Sequence, residues 1–124
     1  MKKNKKKLII NFDSDWCPKF MLDYSLEFLS YKNIPVTIFA TDKYEMHKNW
    51  NKLWKFGIHP NFDNKYGFNV DNAEKEVERL KEIYPDAKSC RTHKLIWWSN
   101  LEQILKKNNI NLDSSIQVFD GELK

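Results

Sequence analysis

Apolar and polar positions alternate in two different rhythms along this chain, and the rhythms take turns. The stretch Lys7–Asp13 is a short apolar run around Leu8-Ile9-Ile10 that ends on a carboxylate, as a buried strand does when its backbone leaves the core. Pro18 then opens a helix with Leu22, Leu26 and Leu29 on one face and Phe28 beside them, and Asn33-Ile34-Pro35 breaks it. Pro35–Ala40, apolar and β-branched, has the pattern of a strand covered on both faces. Lys43–Lys55 reads as a helix with Trp50 and Trp54 one turn apart, and Phe56–His59 as a short third strand closed by Pro60. Asn61–Asn69 reads as a polar, aromatic loop. Asp71 is placed to cap a helix over Asn72–Tyr84, whose stripe is Val77, Leu80, Ile83 and Tyr84. Ala87–Arg91 is a fourth strand, Asn100 caps a helix over Leu101–Lys107, and Ile110–Asp113 is a fifth strand. Strands alternating with helices predict βα units around a parallel sheet, hence the α/β class.

That architecture gives the polar residues a meaning. Asp13 and Asp15 follow the first strand, His59 the third, Arg91 and His93 the fourth, and Asp113 ends the fifth. In parallel β/α proteins these positions share one face, around the carboxyl ends of the strands, where active sites lie. Two carboxylates and an imidazole on one face suit a divalent metal with oxygen and nitrogen ligands, such as zinc. A carboxylate outside the ligand set can take a proton from water, and an arginine can hold it in place. The same Asp-x-Asp is also an ordinary turn pattern, and a lone histidine at a turn is more often structural. The argument rests on four such positions falling in phase.

Composition narrows the function. The chain has 124 residues, 41% hydrophobic and 15% aromatic, enough for one folded domain. Its net charge of +4 comes from the head: without Lys2, Lys3, Lys5, Lys6 and Lys7, 16 basic residues face 17 acidic ones. Residues 1–7 therefore read as a basic, flexible N-terminus and 8–124 as the domain, with a near-neutral body that argues against a nucleic-acid partner. The apolar run after the lysines is too short for a signal peptide, and no run is long enough to span a membrane. Two cysteines, Cys17 and Cys90, form neither a disulfide framework nor a zinc cluster, which fits a reducing, cytoplasmic setting.

With these residues assembled, Leu8–Asp15, Phe56–Asn64, Arg91 onward and Asp113-Ser114-Ser115 resemble successive motifs of the polysaccharide deacetylase (NodB-homology, carbohydrate esterase family 4) domain. Asn11-Phe12-Asp13-Ser14-Asp15 is similar to the Asp-x-Asp variant of its first motif. The resemblance implies Asp13 as general base and Asp15 as metal ligand. Phe56-Gly57-Ile58-His59 aligns His59 with the first histidine of His-x-x-x-His, and Asp63 falls where the second belongs. Anchoring His59-Pro60 as the second histidine would put Lys55 at the first, a poor ligand. Arg91 matches the arginine that orients the base, and His93 resembles an Arg-x-His variant from surface-polysaccharide gene clusters, its role open between ligand, acid and substrate contact. Asn61, Tyr66, Trp98 and Asp113 are candidates for substrate contact, with core packing the alternative for the tryptophan.

What the resemblance implies is a partial (β/α) barrel and a metal-dependent hydrolase of carbon–nitrogen bonds. Its substrate would be an N-acetylated sugar or polysaccharide. The family's fifth motif, Leu-x-x-His, has no match here, so the reading expects a truncated or minimal member, with a non-catalytic remnant as the alternative.

Overall fold

The computed structural model describes residues 9–45, 52–64, 67–68 and 70–116. Five parallel strands stand in chain order, each paired with the next: β1 (Ile10–Asp13), β2 (Val36–Ala40), β3 (Trp54–Ile58), β6 (Ser89–Cys90) and β7 (Leu112–Asp113). They curl into half of a barrel with helices between the strands. A small antiparallel hairpin, β4 (Asp63–Asn64) with β5 (Gly67–Phe68), stands apart from the sheet. The helices are α1 (Lys19–Tyr31), α2 (Val70–Ile83) and α3 (Leu101–Lys107), with a 3₁₀ turn at His93–Leu95.

Alternation along the strands divides the sheet into two faces. Val36, Ile38, Trp54 and Ile58 point toward the helices and are buried. Leu22 and Leu26 of α1 pack on the first group, with Val36, Ile38 and Trp54. A second cluster joins Ile58 and Cys90 to Val77 and Leu80 of α2, Leu101 and Leu105 of α3, and Ile110. The register then aligns Asp13 with Phe39 and Phe39 with Gly57 on the opposite face.

Several elements differ from the sequence expectations. Trp54 and Lys55 belong to β3, not to a helix over Lys43–Lys55, and residues 46–51 of that stretch lie outside the described residues. Trp50 and Trp54 have helical spacing, but Trp54, Phe56 and Ile58 also alternate, and pairing of Trp54 with Val36 decides for the strand. Helix α2 begins at Val70 and so contains Asp71 instead of starting after it. The loop after His59 carries the β4–β5 hairpin. Asn100 holds the N-cap position of α3 without a side-chain cap hydrogen bond.

Candidate metal centre

Four backbone amides carry the ladder one residue beyond the strands. Ser14 N–H donates to Phe39 O (3.0 Å), His59 N–H to Ala40 O (2.8 Å), Arg91 N–H to Ile58 O (3.0 Å) and Ser114 N–H to Cys90 O (2.8 Å). The residues just past the strand ends are thus locked in register, and the site is built from them. Phe39, a buried strand residue, forms part of its floor, with the Arg91 guanidinium 4.5 Å above the ring centroid. Gly57 leaves that ring its space: a Cβ there would lie 2.7 Å from Phe39 ring carbons and 2.6 Å from Ser89 Oγ.

Arg91 is fixed at three points. One terminal nitrogen donates to Asp13 Oδ1 (3.0 Å), the other to Ser114 Oγ (2.9 Å), and the plane rests on Phe39. Asp13 is thereby oriented from across the sheet, by a strand that is not its neighbour.

Beside this pair, Asp15 Oδ1 lies 3.2 Å from His59 Nε2 and 2.9 Å from His93 Nδ1. His59 is buried, and its Nδ1 lies 2.5 Å from Arg91 O. A carbonyl oxygen only accepts, so Nδ1 holds a proton, and in the neutral ring Nε2 presents a lone pair to Asp15. With the ring neutral, these two atoms and a second imidazole on the same oxygen supply the donor chemistry of a cation site; with it protonated, they make an ion pair. The three donor atoms lie within 4.8 Å of one another, a one-oxygen, two-nitrogen set that fits zinc and other divalent metals of similar preference.

The backbone bends to achieve this. Asp15 and Trp16 have φ of 37° and 58°, the left-handed region, which swings the carboxylate back over the sheet. Ser14 and Thr41, both buried, pin the turn: Thr41 N–H donates to Ser14 Oγ (3.2 Å) and Trp16 N–H donates to Thr41 Oγ1 (3.3 Å). His93 sits edge-on to both His59 and Trp16, at centroid distances of 5.5 and 5.3 Å.

Asp13, Asp15, His59, Arg91 and His93 line one cleft of about 480 Å³, with Leu95 and Ile116 at its border. The other sequence candidates fall elsewhere. Asp63 pairs with Lys94 at the hairpin and is not in the Asp15–His59–His93 group. Asn61 accepts from Asp63 N–H (3.0 Å), and Trp98 packs edge-on to Phe62 against the core. Asp113 accepts from the Ser115 amide and hydroxyl; it is Ser114 that reaches Arg91. Tyr66 lies outside the described residues.

Phe39, Ser14, Thr41, Ser114 and Trp16 were not anticipated. Their types are ordinary for a strand or a turn, and only the strand register reveals what they support. Both cysteines are free thiols. Burial pushes Cys90 well above the ordinary thiol range, with the Asp113 charge adding to it. Cys17 is also raised, chiefly by burial, opposed by a hydrogen bond from Tyr44 and assisted by the Asp15 charge. Neither is a ready nucleophile. A larger cavity of about 800 Å³ beside Trp54, Phe56 and Tyr84 does not contain this cluster, so chemistry and not size marks the site.

A parallel β/α half-barrel with an Asp–His–His group and a clamped aspartate at its carboxyl edge defines the class. Residues 10–122 match the WbmS-like family of polysaccharide deacetylases, and the chain belongs to that family. Among solved structures, it shares the fold of WbmS from Bordetella bronchiseptica, a candidate polysaccharide deacetylase involved in O-antigen biosynthesis, with a TM-score of 0.73 and 24% identity. That match covers 85% of this chain and 45% of the other, so this chain spans less than half of its length. No curated protein matches. Among the described residues, no helix is long and apolar enough to cross a membrane.

Proposed function

We propose that this domain carries the metal and base half of a carbohydrate N-deacetylase, hydrolysing the acetamide of an N-acetylated sugar in surface-polysaccharide synthesis. The observation that carries the reading is the clamped Asp13 beside the Asp15–His59–His93 group in one cleft. Asp15, His59 and His93 are the residues to hold a divalent cation, zinc first among them. When bound, such an ion supplies Lewis acidity and lowers the pKa of water. Arg91 engages Oδ1 of Asp13, and Oδ2 is the atom assigned to take the proton of the attacking water. The Arg91 carbonyl orients His59 while its guanidinium orients Asp13, so one residue sets the ligand and the base together.

With His93 assigned as third ligand, Asp63 has no part in the metal site. The two free thiols suit a cytoplasmic setting.

The test combines zinc calorimetry with acetate release from N-acetylated oligosaccharides. His59→Ala and His93→Ala should each weaken zinc by at least ~10-fold, as losing a metal-site group does. Asp13→Asn should leave zinc affinity intact and abolish acetate release. Unchanged zinc affinity in both histidine variants would reject the metal site. Zinc and sugar binding with no acetate release would leave a binding domain only.

A further inference from the structure

We propose that Trp16 is a substrate-contacting, specificity-determining residue: its exposed indole is the platform on which the pyranose ring of the N-acetylated sugar stacks. The inference rests on the reading of the cleft as a carbohydrate deacetylase site and adds the residue that grips the sugar.

Trp16 is 52% exposed although it follows a metal-site residue directly and makes a T-shaped ring contact with His93. An isolated surface tryptophan would need no explanation. This one sits in the left-handed region, where a bulky side chain is strained, and its amide is held there by the hydroxyl of Thr41, which is 2% exposed. The polar groups that fix the turn are buried, while the large apolar group it presents is left in water. That inverts the usual placement of a tryptophan.

The opposite segment repeats the pattern. Lys94 and Leu95, directly after His93, have φ of 56° and 55°, and Leu95 borders the cleft at 42% exposure. One strained pair thus begins at Asp15 and the other follows His93, both of the Asp–His–His group, and each ends in an exposed apolar side chain. A pyranose has an apolar C–H face and a hydroxyl rim, which matches a rigid indole beside a polar centre. The T-shaped contact with His93 ties the platform to the centre, so a sugar stacked on Trp16 is held beside the metal ligands.

The experiment uses the full chain loaded with zinc and tri-N-acetylchitotriose as probe, followed by calorimetry and tryptophan fluorescence. Trp16→Ala should weaken chitotriose binding roughly tenfold, the equivalent of about 1.4 kcal/mol. Trp16→Phe should stay within about threefold of wild type. Both variants should bind zinc as wild type does, and the fluorescence shift on sugar binding should vanish in both. Zinc affinity that falls in step with sugar affinity in Trp16→Ala would mean the ring only braces His93, and the platform is wrong. Chitotriose binding indifferent to Trp16→Ala also overturns it while leaving the deacetylase reading intact. A wild-type protein that binds zinc but no chitotriose rejects the carbohydrate reading and the platform together.

Discussion

Six non-glycine residues of the described structure adopt left-handed backbone, and they fall into two kinds. Asn33 and Asn109 end α1 and α3 in the same way. Asn33 N–H donates to Ser30 O and Ile34 N–H to Leu29 O; Asn109 N–H donates to Lys106 O and Ile110 N–H to Leu105 O. Each is a Schellman motif that satisfies the last carbonyls of its helix. Asparagine suits the conformation, and the following isoleucine returns the chain to the fold. Of the pairs Asp15-Trp16 and Lys94-Leu95, Asp15, Lys94 and Leu95 line the cleft and Trp16 stands next to it against His93, and three of those four residues are types the left-handed region disfavours by about 1–2 kcal/mol each. At the helix ends the residue serves the backbone. At the cleft the backbone serves the side chain, and stability is given up for where Asp15, Trp16 and Leu95 point.

The comparison breaks most visibly at Asp15. Asp15→Gly keeps the left-handed turn and removes the carboxylate that both imidazoles face. Zinc affinity should fall by ~10²-fold or more in calorimetry. The urea midpoint of the metal-free protein should correspond to a change of less than ~1 kcal/mol, because glycine adopts the turn freely and the lost contacts of a half-exposed carboxylate contribute little in water. A large loss of metal-free stability would show the turn to be structural, like those of the helix ends.

Gly57→Ala asks the same of the floor. Its Cβ would press on Phe39 and Ser89, and overpacking of this kind costs about 1–3 kcal/mol. Phe39 carries Arg91, so Asp13-dependent activity should fall further than stability alone explains. Urea unfolding with an activity assay at matched folded fraction separates the two effects.

Asn33→Ala and Asn109→Ala provide the control. Each should lose about 1 kcal/mol of stability in urea titration and leave zinc binding untouched. An effect on zinc would mean that the helix ends are coupled to the cleft.

This contrast also explains what could be read from the sequence. Asn33-Ile34-Pro35 was legible as a helix stop because its residues fit the conformation they adopt. Asp13, Asp15, His59, Arg91 and His93 were legible because each ends or follows a strand, where a polar residue after an apolar run is informative. The structure brings those five together, and Asp63 stays with Lys94. Thr41 and Ser14 look like turn residues and Phe39 like a core strand residue; their importance depends on register, which a single sequence does not display. The sequence points to Trp98 and Tyr66 and not to Trp16, because nothing in the neighbours of Trp16 marks a left-handed turn. The start of β3 was misread because Trp50 and Trp54 share a helical period, and only the pairing of Trp54 with Val36 resolves the ambiguity.

The smallest expected effect is the sharpest test of the contrast. Leu95→Gly replaces a strained, exposed residue by the one that prefers its conformation. Relief of about 1–2 kcal/mol of left-handed strain is set against the ~0.5–1 kcal/mol entropy that glycine loses on folding. A net gain of up to ~1 kcal/mol in urea unfolding should result. The side chain is 42% exposed, so the packing it loses takes back part of that gain. His93 is two residues away, and its contact with Asp15 should be kept, leaving zinc affinity unchanged. Chitotriose affinity should fall by a few-fold at most, as expected for one apolar contact at the border of a cleft. A variant that gains stability and loses sugar affinity would place Leu95 with Trp16, as a residue retained for what it touches. A variant that loses stability would place it with Asn33 and Asn109, and the distinction between the two kinds of turn would fail on that side of the cleft.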